Sequence, residues 1–153
     1  MSIIWVMDDY LTPEQLSYEL SKIVEDWKHD GFSSRSLADD IRTGVNAPHY
    51  YHELVYQLLI KSLNIGSAEA LEAVVSTIAY LVKQEIVEKN QVKQGFLRIY
   101  GDFDELKIDI PKCTALIAKI VNSAVESKII DDEVRVKMPR MRGDRRRAFS
   151  EMT

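Results

Sequence analysis

The chain has 153 residues, of which 46% are hydrophobic and 29% are charged, and its formal net charge is −4. This length and composition predict one globular domain, and no apolar run approaches the roughly 18 residues that a membrane-spanning helix needs. The single cysteine, Cys113, excludes an internal disulfide bond and favours a reducing compartment. We therefore expect a cytoplasmic monomer, and the sequence leaves the nucleus open as a second compartment.

The first two predicted helices have clear start and stop signals. Thr12 and Gln15 have the pattern of a capping box around Pro13, and Gly31 is expected to end this helix. Its buried face is the set of apolar residues spaced by three or four positions: Leu16, Leu20, Ile23, Val24 and Trp27. A shorter second helix is predicted from Ser33 or Ser34 to Gly44.

Two more helices are predicted in the middle of the chain. The third begins at 46–48 and ends at Gly66, and the fourth begins after Ser67, which is a good N-cap residue. Helical spacing of apolar residues in these helices and in a later one predicts a common core that includes Leu54, Leu58, Val75, Ile78, Leu116 and Ile120.

An acidic segment separates the last long helices. The fifth helix is predicted from about Glu88 to Tyr100, and the sixth is predicted to begin at Pro111. The residues between them are interpreted as an acidic loop in which Asp109 could also cap the sixth helix. A short seventh helix is predicted after Asp131.

These elements predict an all-α fold, because no run alternates apolar and polar residues as a strand does. Helices joined by short turns pack as antiparallel hairpins, so we expect a HEAT-like stack of about three hairpins plus a short last helix. We predict an N-terminal helical extension over residues 1–32 that packs on the domain, the helical domain itself over 33–138, and a basic flexible tail over 139–153.

Charge is distributed unevenly along the chain. From residue 134 onward there are seven basic and two acidic residues, a net charge of +5, which leaves −9 for the first 133 residues. An acidic body favours a basic partner surface, and a basic tail could contact nucleic acid, a kinase or the body itself.

Motifs that would indicate an enzyme are weak. His49, His52 and Glu53 form the nearest approach to a metal motif, but their order differs from His-Glu-x-x-His and no third ligand is in view. Cys113 lies in the predicted first turn of a helix, where a thiol pKa can fall, but a buried packing cysteine is the better interpretation. We therefore predict no catalytic residue, no metal and no cofactor.

Two sequence blocks resemble the MI domain, which is also written MA-3. One is Gly-Phe-Leu-Arg-Ile-Tyr at 95–100 followed by Leu-Lys-Ile-Asp-Ile-Pro-Lys at 106–112, and the other lies at 47–63 and is similar to the family's Pro-x-x-His-His-Glu-Leu-Val helix. A third similarity is the tail Arg-Arg-Arg-Ala-Phe-Ser at 145–150. The resemblance covers roughly residues 33–150.

The resemblance implies a partner for the acidic segment. In this family, acidic residues of the segment contact the DEAD-box RNA helicase of translation initiation. Asp109 matches the family's aspartate before the hydrophobic-Pro pair, and Glu105 stands where close relatives have an aspartate. Asp102 and Asp104 are further candidates because they share the segment.

The tail carries a kinase motif. Arg145 and Arg147 lie five and three residues before Ser150, which is the pattern that basophilic kinases read, and the resemblance implies a regulatory serine at this place. Three other arginines of the tail are candidate RNA contacts: Arg140, Arg142 and Arg146.

The resemblance therefore implies a protein-interaction module that binds the initiation helicase and inhibits both the helicase and cap-dependent translation. Two alternatives stay open: an MI domain of an initiation scaffold that assists the helicase, and an RNA-binding scaffold that acts through the basic tail.

Overall fold

The computed structural model describes residues 12–139, and none of these residues lies in a β-strand. Eight α-helices follow one another in this part of the chain, and a 3₁₀ turn at Pro48–Tyr50 precedes the third. Their bounds are α1 Pro13–His29, α2 Ser34–Gly44, α3 Tyr51–Ile65, α4 Ala68–Lys83, α5 Lys89–Gly101, α6 Phe103–Asp109, α7 Cys113–Glu126 and α8 Asp132–Val136.

The helices form two layers. α1, α3 and α5 lie side by side in one layer, whereas α2, α4 and α7 form the other. The hairpins α1–α2 and α3–α4 each place one arm in each layer. α5 packs on α3, α7 packs on α4, and the short α6 connects the two and contacts both. α8 closes the stack against α5 and α7. The all-α stack of helical hairpins predicted from the sequence is confirmed.

Local sequence signals set most helix starts. The N–H of Gln15 donates to Thr12 Oγ1 over 3.1 Å while the N–H of Thr12 donates to Gln15 Oε1 over 2.8 Å, which confirms the capping box of α1. Ser33 and Ser67 cap α2 and α4 in the predicted way. Gly66 ends α3 with φ at +72°, a left-handed conformation that glycine adopts without a Cβ clash.

The buried core lies between the two layers. Five of the six predicted core residues are at most 3% exposed: Leu54, Leu58, Val75, Ile78 and Ile120. The sixth, Leu116, is only partly buried, so its prediction is wrong. The buried stripe of α7 runs along Cys113, Ile117, Ile120, Val121 and Ala124, and Leu116 lies at the edge of that stripe beside Gly66.

α1 packs on the rest of the stack. Its apolar face is buried, and the indole N–H of Trp27 donates to Thr77 Oγ1 in α4 over 3.1 Å. The domain boundary predicted between residues 32 and 33 stays a prediction. The tail residues named above as kinase-recognition, phosphorylation and RNA-contact candidates lie outside the described residues: Arg140, Arg142, Arg145, Arg146, Arg147 and Ser150.

Candidate functional site

The acidic segment is a helix, so its interpretation as a loop is wrong. Phe103 is 4% exposed and Leu106, three residues later, is partly buried, and together they fix one side of α6 on the core. The carboxylates Asp104 and Glu105 lie in its first turn, where the helix dipole favours negative charge. Pro111 disfavours a helical conformation for Ile110, whose φ of −127° and ψ of 88° end the helix.

The next helix begins later than predicted. Ile110, Pro111 and Lys112 form a turn that is closed by the N–H of Cys113, which donates to the carbonyl of Ile110 over 2.9 Å. α7 therefore starts at Cys113 rather than at Pro111, and no side chain caps it. Asp109 is the last residue of α6 and does not cap α7, which corrects that expectation.

The outer side of α6 combines negative charge with an exposed apolar residue. Asp104, Glu105, Ile108 and Asp109 follow the helical spacing of one face, and all four are exposed to solvent. Ile108 is 77% exposed, and within residues 12–139 Val136 is the only other large aliphatic side chain that is exposed. We call Asp104, Glu105, Ile108 and Asp109 the α6 face. Lys107 lies beside this face, with its Nζ 3.4 Å from Asp104 Oδ1.

Asp102 does not belong to the α6 face. It is partly buried and its carboxylate accepts a hydrogen bond from the Tyr56 hydroxyl in α3. The structure therefore brings together three of the four predicted helicase-binding residues (Asp104, Glu105 and Asp109) and separates the fourth. The sequence analysis did not predict Ile108 as a site residue. The available signal was a large apolar residue between charged residues, in a segment that was interpreted as a loop.

An ion pair joins α3 to α5 behind this site. Glu53, only 4% exposed, pairs with the guanidinium of Arg98, and its second oxygen accepts a hydrogen bond of 2.8 Å from Gln57. The guanidinium also lies 3.7 Å above the ring of Tyr56. Burial lowers the pKa of Arg98, but its hydrogen bond to Glu53 and the electrostatic effects of Glu53, Tyr56 and Asp102 together outweigh burial, so the pKa is raised.

The candidate metal motif is not assembled in space. Glu53 turns inward to Arg98, whereas His49 is exposed and the ring of His52 packs against Tyr50. In the part of the chain that the structure describes, no three residues of metal-ligating type come together.

Within residues 12–139, no helix combines the length and the apolar composition that crossing a membrane requires.

Cys113 is buried in the core, which confirms the interpretation as a packing residue. Burial raises the pKa of its thiol, and this outweighs the opposite effects of Thr114 and Lys107. A raised pKa reduces the thiolate fraction at neutral pH, so this cysteine is a poor nucleophile.

A second group of carboxylates lies on the α1–α2 hairpin. Burial raises the pKa of Asp40, and the neighbouring charges of Asp26, Asp30 and Asp39 raise it further. Exposed carboxylates therefore also lie outside the α6 face, and this hairpin group carries no exposed large aliphatic side chain among the described residues.

Comparison with known sequences gives this fold a family. The MA3 domain model matches residues 43–131, which is more than half of the chain. The chain belongs to the MA3 family. Mouse and human programmed cell death protein 4 are each 28% identical to it over 104 residues, which cover 68% of this chain and 22% of theirs. Arabidopsis thaliana MA3 domain-containing translation regulatory factor 1 is 24% identical over 132 residues, which cover 86% of this chain and 18% of the relative.

The MA3 chain thus spans about a fifth of the length of these relatives. The family match includes α3, α4, α5 and all of α6, so the α6 face lies inside the shared domain. α1 and most of α2 precede the matched residues.

Proposed function

We propose that this MA3 chain is a protein-interaction domain in translation regulation, whose α6 face binds a basic surface of the DEAD-box RNA helicase of translation initiation. The observation that carries the proposal is the α6 face itself, where three carboxylates surround the exposed Ile108. Relatives from Arabidopsis thaliana are MA3 domain-containing translation regulatory factors, which supports a role in translation regulation. For such a role we propose the cytoplasm as the compartment of this activity, with the nucleus as the second compartment.

The chemistry of the α6 face fits a basic partner. Arginine and lysine side chains pair with carboxylates, and a central apolar contact excludes water from the surrounding pairs, which strengthens them. The first 133 residues carry a net charge of −9, so long-range attraction to a basic surface adds to these local contacts.

We further propose that binding inhibits the helicase. Surfaces that bind RNA phosphates are basic, so an acidic body that docks on them competes with RNA. A body held between the two lobes of the helicase keeps them apart, and this selects the open state that cannot hold ATP and RNA together. The domain itself performs no chemical step in this proposal.

The basic tail adds a regulatory proposal. Arg145 and Arg147 precede Ser150 at the spacing that basophilic kinases read, and a phosphate adds about −1.5 to −2 charges to a segment of net charge +5. Phosphorylation of Ser150 would therefore weaken RNA contacts of the tail, with little effect on binding by the acidic body.

Calorimetric titration with purified helicase, treated with RNase, tests the proposal. We expect saturable binding of one chain per helicase, with an affinity that falls as salt is raised because the contacts are ionic. Loss of binding on RNase treatment would instead favour an RNA-bridged scaffold. The RNA-dependent ATPase rate then separates the two helicase-binding alternatives: an inhibitor lowers the rate at saturation, whereas an assisting scaffold domain raises it.

A further inference from the structure

Asp102 stands at the junction of α5 and α6, where it is both the C-cap residue of α5 and the N-cap residue of α6. Its N–H donates to the carbonyl of Arg98 over 3.1 Å at the end of α5. Its own carbonyl accepts the N–H groups of Glu105 and Leu106, over 3.1 and 2.9 Å, at the start of α6. A contact that holds the side chain of Asp102 therefore restrains the junction between the two helices.

Tyr56 makes that contact from α3. Its hydroxyl donates to Asp102 Oδ2, and its ring is held by the Arg98 guanidinium stacked 3.7 Å above it. Arg98 is itself paired with the buried Glu53, one turn before Tyr56 on α3. A continuous series of polar contacts thus runs from α3 to the first turn of α6.

The close approach of α3 and α5 makes these contacts possible. A Cβ on Gly95 would lie 2.5 Å from Val55 Cγ1, so only glycine lets the two helices come this near. Arg98 and Asp102 follow Gly95 by three and seven residues, which places them on the same side of α5.

Protonation favours the same arrangement. Burial, followed by the hydrogen bond to Asp102, raises the pKa of Tyr56 to about 12. The hydroxyl therefore keeps its proton at neutral pH and remains a donor to the carboxylate.

From this geometry we infer that Tyr56 is a positioning residue, whose hydroxyl fixes Asp102 and so sets the direction in which α6 presents Asp104, Glu105 and Asp109. Asp102 then acts through the fold rather than by touching the partner. The consequence for binding rests on the proposed function, whereas the effect on α6 itself does not.

Amide hydrogen exchange of the free chain tests the positioning without a partner. In Tyr56→Phe, the amides of Glu105, Leu106 and Ile110 should exchange about tenfold faster or more, because a hydrogen bond to a charged group is lost. Tyr51→Phe is the matched control: it removes another tyrosine hydroxyl bond of α3, which goes to the carbonyl of Val45 and not to α6. Unchanged exchange in Tyr56→Phe, or an equal increase in both variants, would overturn the inference.

Asp102 variants separate positioning from direct contact. Asp102→Asn keeps an oxygen that can accept from Tyr56 but loses the charge, whereas Asp102→Ala loses both. If Asp102 only positions α6, Asp102→Asn should keep the slow amide exchange at Leu106 and a near-parental affinity for the helicase. Asp102→Ala should lose both. Equal loss of affinity in both variants, with parental exchange in Asp102→Asn, would show that the charge touches the partner and would contradict the inference.

The two levels fail in different ways. If the parent chain does not bind the helicase, the proposed function is wrong, and the exchange rates of Tyr56→Phe still decide whether the hydroxyl positions α6. If the parent binds and Tyr56→Phe binds equally well despite faster exchange, positioning has no role in recognition and the inference fails alone.

Discussion

Substitution of Gly95 by alanine should destabilise this domain, although alanine is the better helix former. Gly95 lies within α5 and faces α3, where a Cβ would stand 2.5 Å from Val55 Cγ1, 2.8 Å from Val55 Cβ and 3.3 Å from the backbone nitrogen of Tyr56. Ordinary van der Waals contacts of a Cβ begin at 3.4 Å, so the two helices would have to separate by about 1 Å. The neighbours are a β-branched side chain and backbone, which cannot move aside alone.

The magnitude follows from two opposing contributions. Overpacking a tight contact costs about 1–3 kcal/mol, and the upper end applies here because both helices must move. Alanine in place of glycine within a helix returns about 1 kcal/mol. We therefore expect the free energy of unfolding of Gly95→Ala to fall by about 2 kcal/mol, a value that combines both contributions.

Urea unfolding, followed by circular dichroism at the helical band, measures this difference, and Gly101→Ala is the control. Gly101 ends the same helix, and a Cβ there would meet nothing within 4 Å. Gly101→Ala should leave the stability unchanged or raise it by up to about 1 kcal/mol. A Gly95→Ala chain as stable as the parent would refute the close approach of α3 and α5.

A double variant checks the cause. Val55→Ala removes the nearest atom, so Gly95→Ala should cost less in that background than in the parent, with a coupling of about 1 kcal/mol. Strict additivity of the two substitutions would mean that Val55 is not the residue that alanine meets.

Three further predictions concern the core, the pH response and the tail. Leu58→Ala, at a fully buried position, should lower the free energy of unfolding by about 2–5 kcal/mol in the same urea assay, and the partly buried Leu116→Ala should lower it clearly less. The pKa of Tyr56 is about 12 in the folded chain against an ordinary 10.0, so the unfolded chain loses this proton at a lower pH than the folded chain does. The free energy of unfolding should therefore fall as pH rises from about 10 to 12, and it should fall less steeply in Tyr56→Phe. Incubation with a basophilic kinase should phosphorylate Ser150, as mapped by mass spectrometry, and Ser150→Ala and Arg147→Ala should each abolish incorporation; undiminished labelling of both would show that another residue is the substrate.

Most of the helices could be predicted because their signals are local. The capping box at Thr12, the N-cap residues Ser33 and Ser67 and the left-handed Gly66 each act within a few residues, and the apolar spacing between them is regular. Family membership was visible in two motifs that lie in α3 and at the α5–α7 connection. These features need no knowledge of distant contacts.

α6 could not be predicted because tertiary packing stabilises it. It has seven residues, too few to form an independent helix in water, and it is rich in acidic residues that are common in loops. What holds it is the burial of Phe103 against the core, which its own sequence does not specify. The later start of α7 follows from the same packing, since Pro111 takes part in the turn after α6 instead of opening the next helix.

The contacts behind the candidate site are invisible in one sequence for a different reason. Tyr56 and Asp102 are 46 positions apart, and Glu53 and Arg98 are 45 apart. In the sequence, Glu53, Tyr56 and Arg98 look like ordinary surface residues of helices and Asp102 looks like a loop residue, until α3 and α5 are placed side by side. Three carboxylates of the site could therefore be assigned to one surface in advance, whereas the separate role of Asp102 could not.

The affinity of two matched aspartate variants for the helicase tests the central claim most directly. Asp109→Asn removes a charge from the α6 face, and Asp39→Asn removes one from the exposed acidic surface of α2. Both should stay folded. Asp109 lies at the negative end of a helix dipole and caps nothing, and the ion pair of Asp39 with Arg42 is exposed to solvent and contributes little. We predict that Asp109→Asn weakens binding about tenfold or more, close to 1.4 kcal/mol, while Asp39→Asn changes it little. Equal affinities for Asp109→Asn and the parent, or a larger loss in Asp39→Asn, would contradict the account and place recognition elsewhere on the domain.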